Sequence, residues 1–141
     1  MKRLLAGLAI SAMLGAGPLI AQDVGPLAQL LTTKSCPYCV LEGAELAGAD
    51  LRYTNLHFSI LSSADLNDAD LSFANLVGVQ MVGAVLTGAK LVGATLGGAN
   101  LTNADLVGAD LTGANLIGAL LSGVILCNTI WTDGTIRNDD C

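Results

Sequence analysis

From Leu41 to Leu126 the chain places an apolar residue at every fifth position, and it is Leu throughout except at Met81. Most of these leucines follow a small residue two positions earlier, as at Ala44, Ala49, Ala64 and Ala84. Gly often stands two positions later, as at Gly43, Gly48, Gly78 and Gly88. On an α-helix, at about 100° per residue, a five-residue step scatters the leucines over every face. On a flat strand an odd step alternates them between core and solvent. Neither gives one core. A chain that turns a corner after each five residues points every Leu and its preceding Ala at a common axis, and four sides close a square.

The flanks break this register. Residues 24–35 carry Leu27, Leu30 and Leu31 at helical spacing behind Pro26, which suits a first helical turn, so the pattern predicts a short N-terminal capping helix. Between Gly78 and Gly123 the corner position is Gly in nearly every repeat, as a left-handed turn site requires. In the earlier repeats it is Tyr53, Phe58, Ser63, Asp68 and Phe73, which predicts other turn types there and an aromatic cluster outside. The chain divides into a leader over 1–21, an N-terminal cap over 22–40 containing a C-x-x-C motif, a repeat body over 41–126, and a C-terminal cap over 127–141.

The segments Ala49-Asp50-Leu51, Ala64-Asp65-Leu66, Ala74-Asn75-Leu76, Ala104-Asp105-Leu106, Ala109-Asp110-Leu111 and Ala114-Asn115-Leu116 follow the motif A-(D/N)-L-x-x. In this the sequence resembles the pentapeptide-repeat family over about two thirds of its length, and fixed-period repetition of this kind marks solenoids in general. The resemblance implies an all-β fold, a right-handed quadrilateral β-helix with four repeats to a coil. Residues twenty apart then stack at about 4.8 Å. One outward column would be Asp50, Asp70, Lys90 and Asp110. Another, Asn55, Asn75, Thr95 and Asn115, could form a side-chain amide ladder. Both read as solvated motif residues, and no metal or cofactor is expected.

Mean hydropathy of +0.63 and a stretch from Leu76 to Gly98 with Lys90 as its one charge suggest a membrane span. The unbroken five-residue register explains the same hydropathy as a narrow Leu/Ala core. Residues 1–21 read as a secretory signal, with Lys2 and Arg3 ahead of an apolar run ending near Ala21. Its removal leaves Lys34, Arg52, Lys90 and Arg137 against twelve acids, a formal charge of −8. No membrane association is then expected, and nucleic-acid binding is disfavoured. The expected location is periplasmic or secreted.

An exported chain with four cysteines suggests disulfides. About four and a half coils separate the ends of such a β-helix by roughly 20 Å, too far for a bridge between them. The expected pairs are therefore Cys36 with Cys39 and Cys127 with Cys141. Secreted and lumenal members of the family are similar, with a Lys-x-Cys-x-x-Cys entry and a Cys-Asn-Thr exit. Cys36-Pro37-Tyr38-Cys39 also matches a glutaredoxin-like tetrapeptide, but that chemistry needs a helix beginning at the first Cys. Zinc would need four converging ligands. The lone histidine, His57, has no nucleophile placed for it.

With no catalytic constellation, the expected function is an exported, non-enzymatic structural or protein-binding solenoid with an unidentified protein partner, as a monomer or an end-to-end dimer. Between Asn75 and Asn100 the repeats lack acids and place Val77, Val82, Val85 and Val92 outward, a candidate interaction belt. Two alternatives stand beside it. The resemblance allows a DNA-mimicking modulator of type II topoisomerases, and Cys36 and Cys39 allow a thiol-disulfide redox protein.

Overall fold

The computed structural model describes residues 25–141, so the leader over 1–21 lies outside the described residues. The first element, α1, is Gly25–Thr33. Pro26 stands where a helix has no use for its missing N–H. Leu30 is fully buried, and Leu27 and Leu31 pack against the same core. Lys34 adopts φ 59° and donates its N–H to the Leu30 carbonyl at 2.9 Å, which ends the helix and turns the chain into the repeats.

From Ser35 onward the chain coils with a period of twenty residues, held by parallel bridges that run from Ser35↔Asn55 to Asp110↔Ile130. The bridged residues fall into four columns. The asparagine side holds Ser35, Asn55, Asn75, Thr95 and Asn115, and the aliphatic side holds Val40, Ile60, Gln80, Asn100 and Leu120. The first acidic side holds Glu45, Asp65, Val85, Asp105 and Ile125, and the second holds Asp50, Asp70, Lys90, Asp110 and Ile130. From Leu41 to Leu111 each interior residue of the ladder donates to the next coil, as Leu86 N–H does to the Asp105 carbonyl at 2.8 Å. At each corner the residue three beyond that Leu donates back to it, as Ala89 does to Leu86 at 3.0 Å. Every side contributes a single bridged residue between two corners, so the coils contain no longer strand.

The corners are more uniform than their residue types suggest. Tyr53, Phe58, Ser63, Asp68 and Phe73 have φ between 55° and 60°, close to the 65° of Gly78 and Gly83. Thr54 N–H still returns to Leu51 and Ala64 N–H to Leu61. The expectation of different turns in the N-terminal coils is therefore corrected: one hydrogen-bonded, left-handed corner serves throughout. A Cβ in that conformation costs about 1–2 kcal/mol, and the coil ladder on either side over-determines it.

Inside, Leu51 to Leu111 and Met81 are essentially inaccessible to solvent. The second interior position is Ala in most coils, with Thr54 and Ser59 as buried exceptions. Their hydroxyls donate to the Leu51 and Leu56 carbonyls, which removes the cost of burying them. At roughly 1.5–3 kcal/mol for each fully buried Leu, this ladder is the main stabilising term.

The C-terminal end is closed on one side. β1 (Thr129–Ile130) and β2 (Ile136–Arg137) form an antiparallel hairpin with Thr129 opposite Arg137. The tail then returns beneath the last coil, where Asp140 Oδ2 accepts the Leu126 N–H at 2.8 Å and Asn138 Oδ1 accepts the Asn128 N–H at 2.7 Å. Leu116 and Leu121, on the sides the tail does not reach, are only partly buried.

Candidate functional site

The coil period sorts the outward residues into two halves of the shaft. Glu45, Asp65 and Asp105 share the first acidic side, and Asp50, Asp70 and Asp110 share the second. These carboxylates have a local task. Each Oδ1 of Asp50, Asp65, Asp70, Asp105 and Asp110 accepts the N–H two residues on, at 2.9–3.2 Å, which satisfies the outward donor of the following corner. Asn75, Asn100 and Asn115 do the same. The Asp/Asn of the motif is thus part of the turn, and the stacked Asp residues need no bound cation to account for them.

Electrostatics concentrate at the first coil. Arg52 clasps Asp50 through Nε and the second guanidinium nitrogen at 2.8 and 2.9 Å, and Lys34 Nζ lies 3.8 Å from the same carboxyl. The hydrogen bonds from Arg52, with the Lys34 charge behind them, hold the Asp50 carboxyl well below the usual range. Burial pushes the Asp70 carboxyl up, but the hydroxyl and N–H of Ser72 outweigh it and leave the net shift downward. At the C-terminal hairpin Thr135 lowers Asp133 in the same way.

The other two sides are nearly free of charge. On the asparagine side, Asn75 Nδ2 donates to Asn55 Oδ1 at 3.2 Å, and Thr95 Oγ1 reaches Asn75 Oδ1 at 3.4 Å. This is the upper part of the expected ladder. Sequence reasoning missed a second rung on the aliphatic side, Asn100 Nδ2 to Gln80 Oε1 at 3.3 Å. The corner between these sides carries Tyr38 stacked on Phe58, with centroids 5.6 Å apart and planes 13° apart. The opposite corner of the asparagine side carries Tyr53 on Phe73 at 5.3 Å and 11°. The expected aromatic cluster is thus two stacks on two corners. His57 is engaged there, with Nδ1 at 2.7 Å from Asn55 Oδ1 and its ring edge-on to Tyr38 and Phe58.

The four valines of the sequence-derived belt are dispersed. Val77 follows the asparagine side, Val82 the aliphatic side and Val92 the second acidic side, while Val85 is bridged on the first acidic side. They ring the shaft, so one flat partner surface cannot meet all of them. What the coiling does bring together is Tyr38, Phe58 and Val77 along one corner with Val40 and Ile60 beside it, all exposed. The signal for this patch is the same spacing of twenty that stacks the Asp and Asn columns, applied to Tyr38 and Phe58 and to Val40 and Ile60.

The cysteines close as Cys36–Cys39 and Cys127–Cys141, with Cα separations of 5.4 and 5.0 Å. Cys36 is buried, and α1 ends before it, the reverse of the helix placement that activates a redox dithiol. Among the described residues no cysteine is free, no His/Cys/Asp/Glu group could hold a metal, and no helix is long and apolar enough to cross a membrane.

Comparison with known proteins follows the coils closely. The family model for pentapeptide repeats matches residues 38–68, 64–103 and 89–130, with eight copies. HetL, a pentapeptide repeat protein involved in heterocyst differentiation regulation from the cyanobacterium Nostoc sp. strain PCC 7120, is 31% identical with a TM-score of 0.66. That match covers 73% of this chain and 51% of HetL, so the chain spans about half the length of that protein. A pentapeptide repeat protein from the Arabidopsis thaliana thylakoid lumen is 30% identical, also at TM-score 0.66, over 82% of this chain and 77% of that one. QnrB1, a plasmid-mediated fluoroquinolone resistance protein, matches at 20% identity and TM-score 0.39, over 64% of this chain and 59% of its own, too remote to bear on function. No protein of curated function matches the sequence.

Proposed function

Because the chain belongs to the pentapeptide-repeat family, we propose that it is a right-handed quadrilateral β-helix acting as a non-enzymatic, protein-binding solenoid in an oxidising compartment outside the cytoplasm. The observation that carries the binding role is the gathering of exposed Tyr38, Val40, Phe58, Ile60 and Val77 on one corner and its adjoining side. Depletion of charge with aromatic enrichment is the composition of an interface core. The two disulfides support the compartment, as does likeness to a thylakoid-lumen protein. The reading of 1–21 as a removable signal agrees with both.

The test compares recovered partners for three purified forms. A Phe58→Ser/Ile60→Ser form removes the corner patch, and a Val82→Ser/Val85→Ser/Val92→Ser form removes most of the valine ring. Loss of partner with the first alone places binding on the corner; loss with the second alone returns it to the ring. Undiminished recovery with both refutes a surface built on either. A free-thiol count of zero on protein from its native compartment is expected, and reactive Cys36 or Cys39 would contradict the oxidised state.

A further inference from the structure

We infer that the uncharged corner and aliphatic side form a self-complementary surface whose occupant is a second copy of this chain, lying side by side and antiparallel. This rests on the protein-binding reading and names the partner. The corner column runs Tyr38, Phe58, Gly78, Gly98, Gly118, bulky in its first two coils and bare in its last two. The ring of Phe58 lies across Gly78, where an added Cβ would meet it at 2.3 Å, whereas nothing comes within 4 Å of a Cβ added at Gly98. The column is therefore ridged at one end and open at the other.

A two-fold axis in the plane of contact and perpendicular to the shaft, passing at Gln80, reverses one copy against the other and keeps corner against corner. The rings of Tyr38 and Phe58 then lie over Gly118 and Gly98 of the second copy. On the aliphatic side Val40 meets Leu120, Ile60 meets Asn100, and Gln80 meets itself. Ile117 and Leu120, 79% and 57% exposed beside the open end of the last coil, are covered by the same operation.

Charge excludes the opposite half of the shaft. The two acidic sides would set carboxylates of one copy against those of the other, while the aliphatic side has Glu42 as its one charged residue, and the antiparallel arrangement sets Glu42 opposite Ser122. Like charges held together cost several kcal/mol, so approach through the acidic half is disfavoured. With about 150–250 Å² for a whole aromatic side chain, the exposed apolar groups amount to roughly 600–700 Å² per copy. The pair would bury roughly 1,300 Å², inside the size class of specific interfaces. A head-to-tail stack would instead press partly exposed Leu116 and Leu121 onto the charged first coil with Glu42, Asp50 and Arg52.

Sedimentation velocity across a concentration series tests this on the full chain, against Phe58→Ser/Ile60→Ser and Ile125→Ser. Ser63 holds the same corner conformation as Phe58, so the first variant keeps the fold, which thermal unfolding checks. The expected result is a concentration-dependent dimer for wild type and Ile125→Ser, with Phe58→Ser/Ile60→Ser monomeric at about a hundredfold higher concentration. A dimer retained in Phe58→Ser/Ile60→Ser is built elsewhere, on the open end at Leu116 and Leu121 or, where Ile125→Ser alone disrupts it, on the first acidic side, and overturns the inference. A monomeric wild type that still recovers a partner through Phe58 and Ile60 overturns the second copy and leaves protein binding standing. A monomer that recovers none overturns both.

Discussion

Replacing Leu91 with Asp separates the interior register from the exterior more sharply than any other single change. Leu91 is 1% exposed in the middle of the ladder, and its N–H donates to the Asp110 carbonyl at 2.7 Å. Removing the side chain forfeits about 2–5 kcal/mol of transfer and cavity energy, and a carboxylate left in that site costs several kcal/mol more or must be protonated. Against a total stability of about 5–15 kcal/mol, the sum exceeds what the coils can lose, and because each coil contacts only its neighbours the break falls mid-shaft. Thr87→Asp is the matched control. Thr87 lies at the corner next to Asp68 and is partly exposed, and its carbonyl keeps the 2.9 Å bond from Asp68 N–H. Like-charge repulsion at such a surface amounts to about 1 kcal/mol or less. Circular dichroism with thermal melting should find Leu91→Asp unfolded at room temperature and Thr87→Asp melting within a few degrees of wild type. Equal melting temperatures for the two would refute the register.

Gly78→Ala should destabilise by about 1–3 kcal/mol, from the left-handed backbone and the displaced Phe58 ring; combined with Phe58→Ser in a denaturation cycle at monomeric concentration, the ring contribution should vanish and the backbone cost remain. Equal costs with and without Phe58 would mean the ring does not lie across Gly78. Cys127→Ser/Cys141→Ser should lower stability by about 3 kcal/mol in the chain-entropy view of a loop this long, with the loss seen first as exchange at Leu126 and Asn128, whose N–H groups the tail holds. Unchanged protection of those two amides would show that the tail caps without its bridge.

The interior was readable because a shaft this narrow admits little but Leu and Ala, so a five-residue step repeats without error through Met81. The corners are less legible, because Gly is the usual mark of a left-handed backbone and several of them lack it. Tyr53, Phe58 and Phe73 take the same φ by projecting their rings outward onto the next coil. The Asp and Asn of the motif look merely solvent-facing in the sequence, whereas their oxygens close the corners. The C-terminal hairpin leaves no trace in the sequence pattern because strands of two residues have no period. The surface was hardest of all. Read along the chain, the outward valines form a belt; read at intervals of twenty, they encircle the shaft, and the exposed apolar groups collect on a different line.

That line is tested most directly by a symmetric cross-link. Gln80 sits at the middle of the aliphatic side and Lys90, in the same coil, on the side opposite. Under mild oxidation Gln80→Cys should convert to a covalent dimer while Lys90→Cys stays monomeric on non-reducing electrophoresis. Cross-linking of Lys90→Cys at an equal rate, or of neither variant, would contradict an antiparallel pair formed through the uncharged half of the shaft.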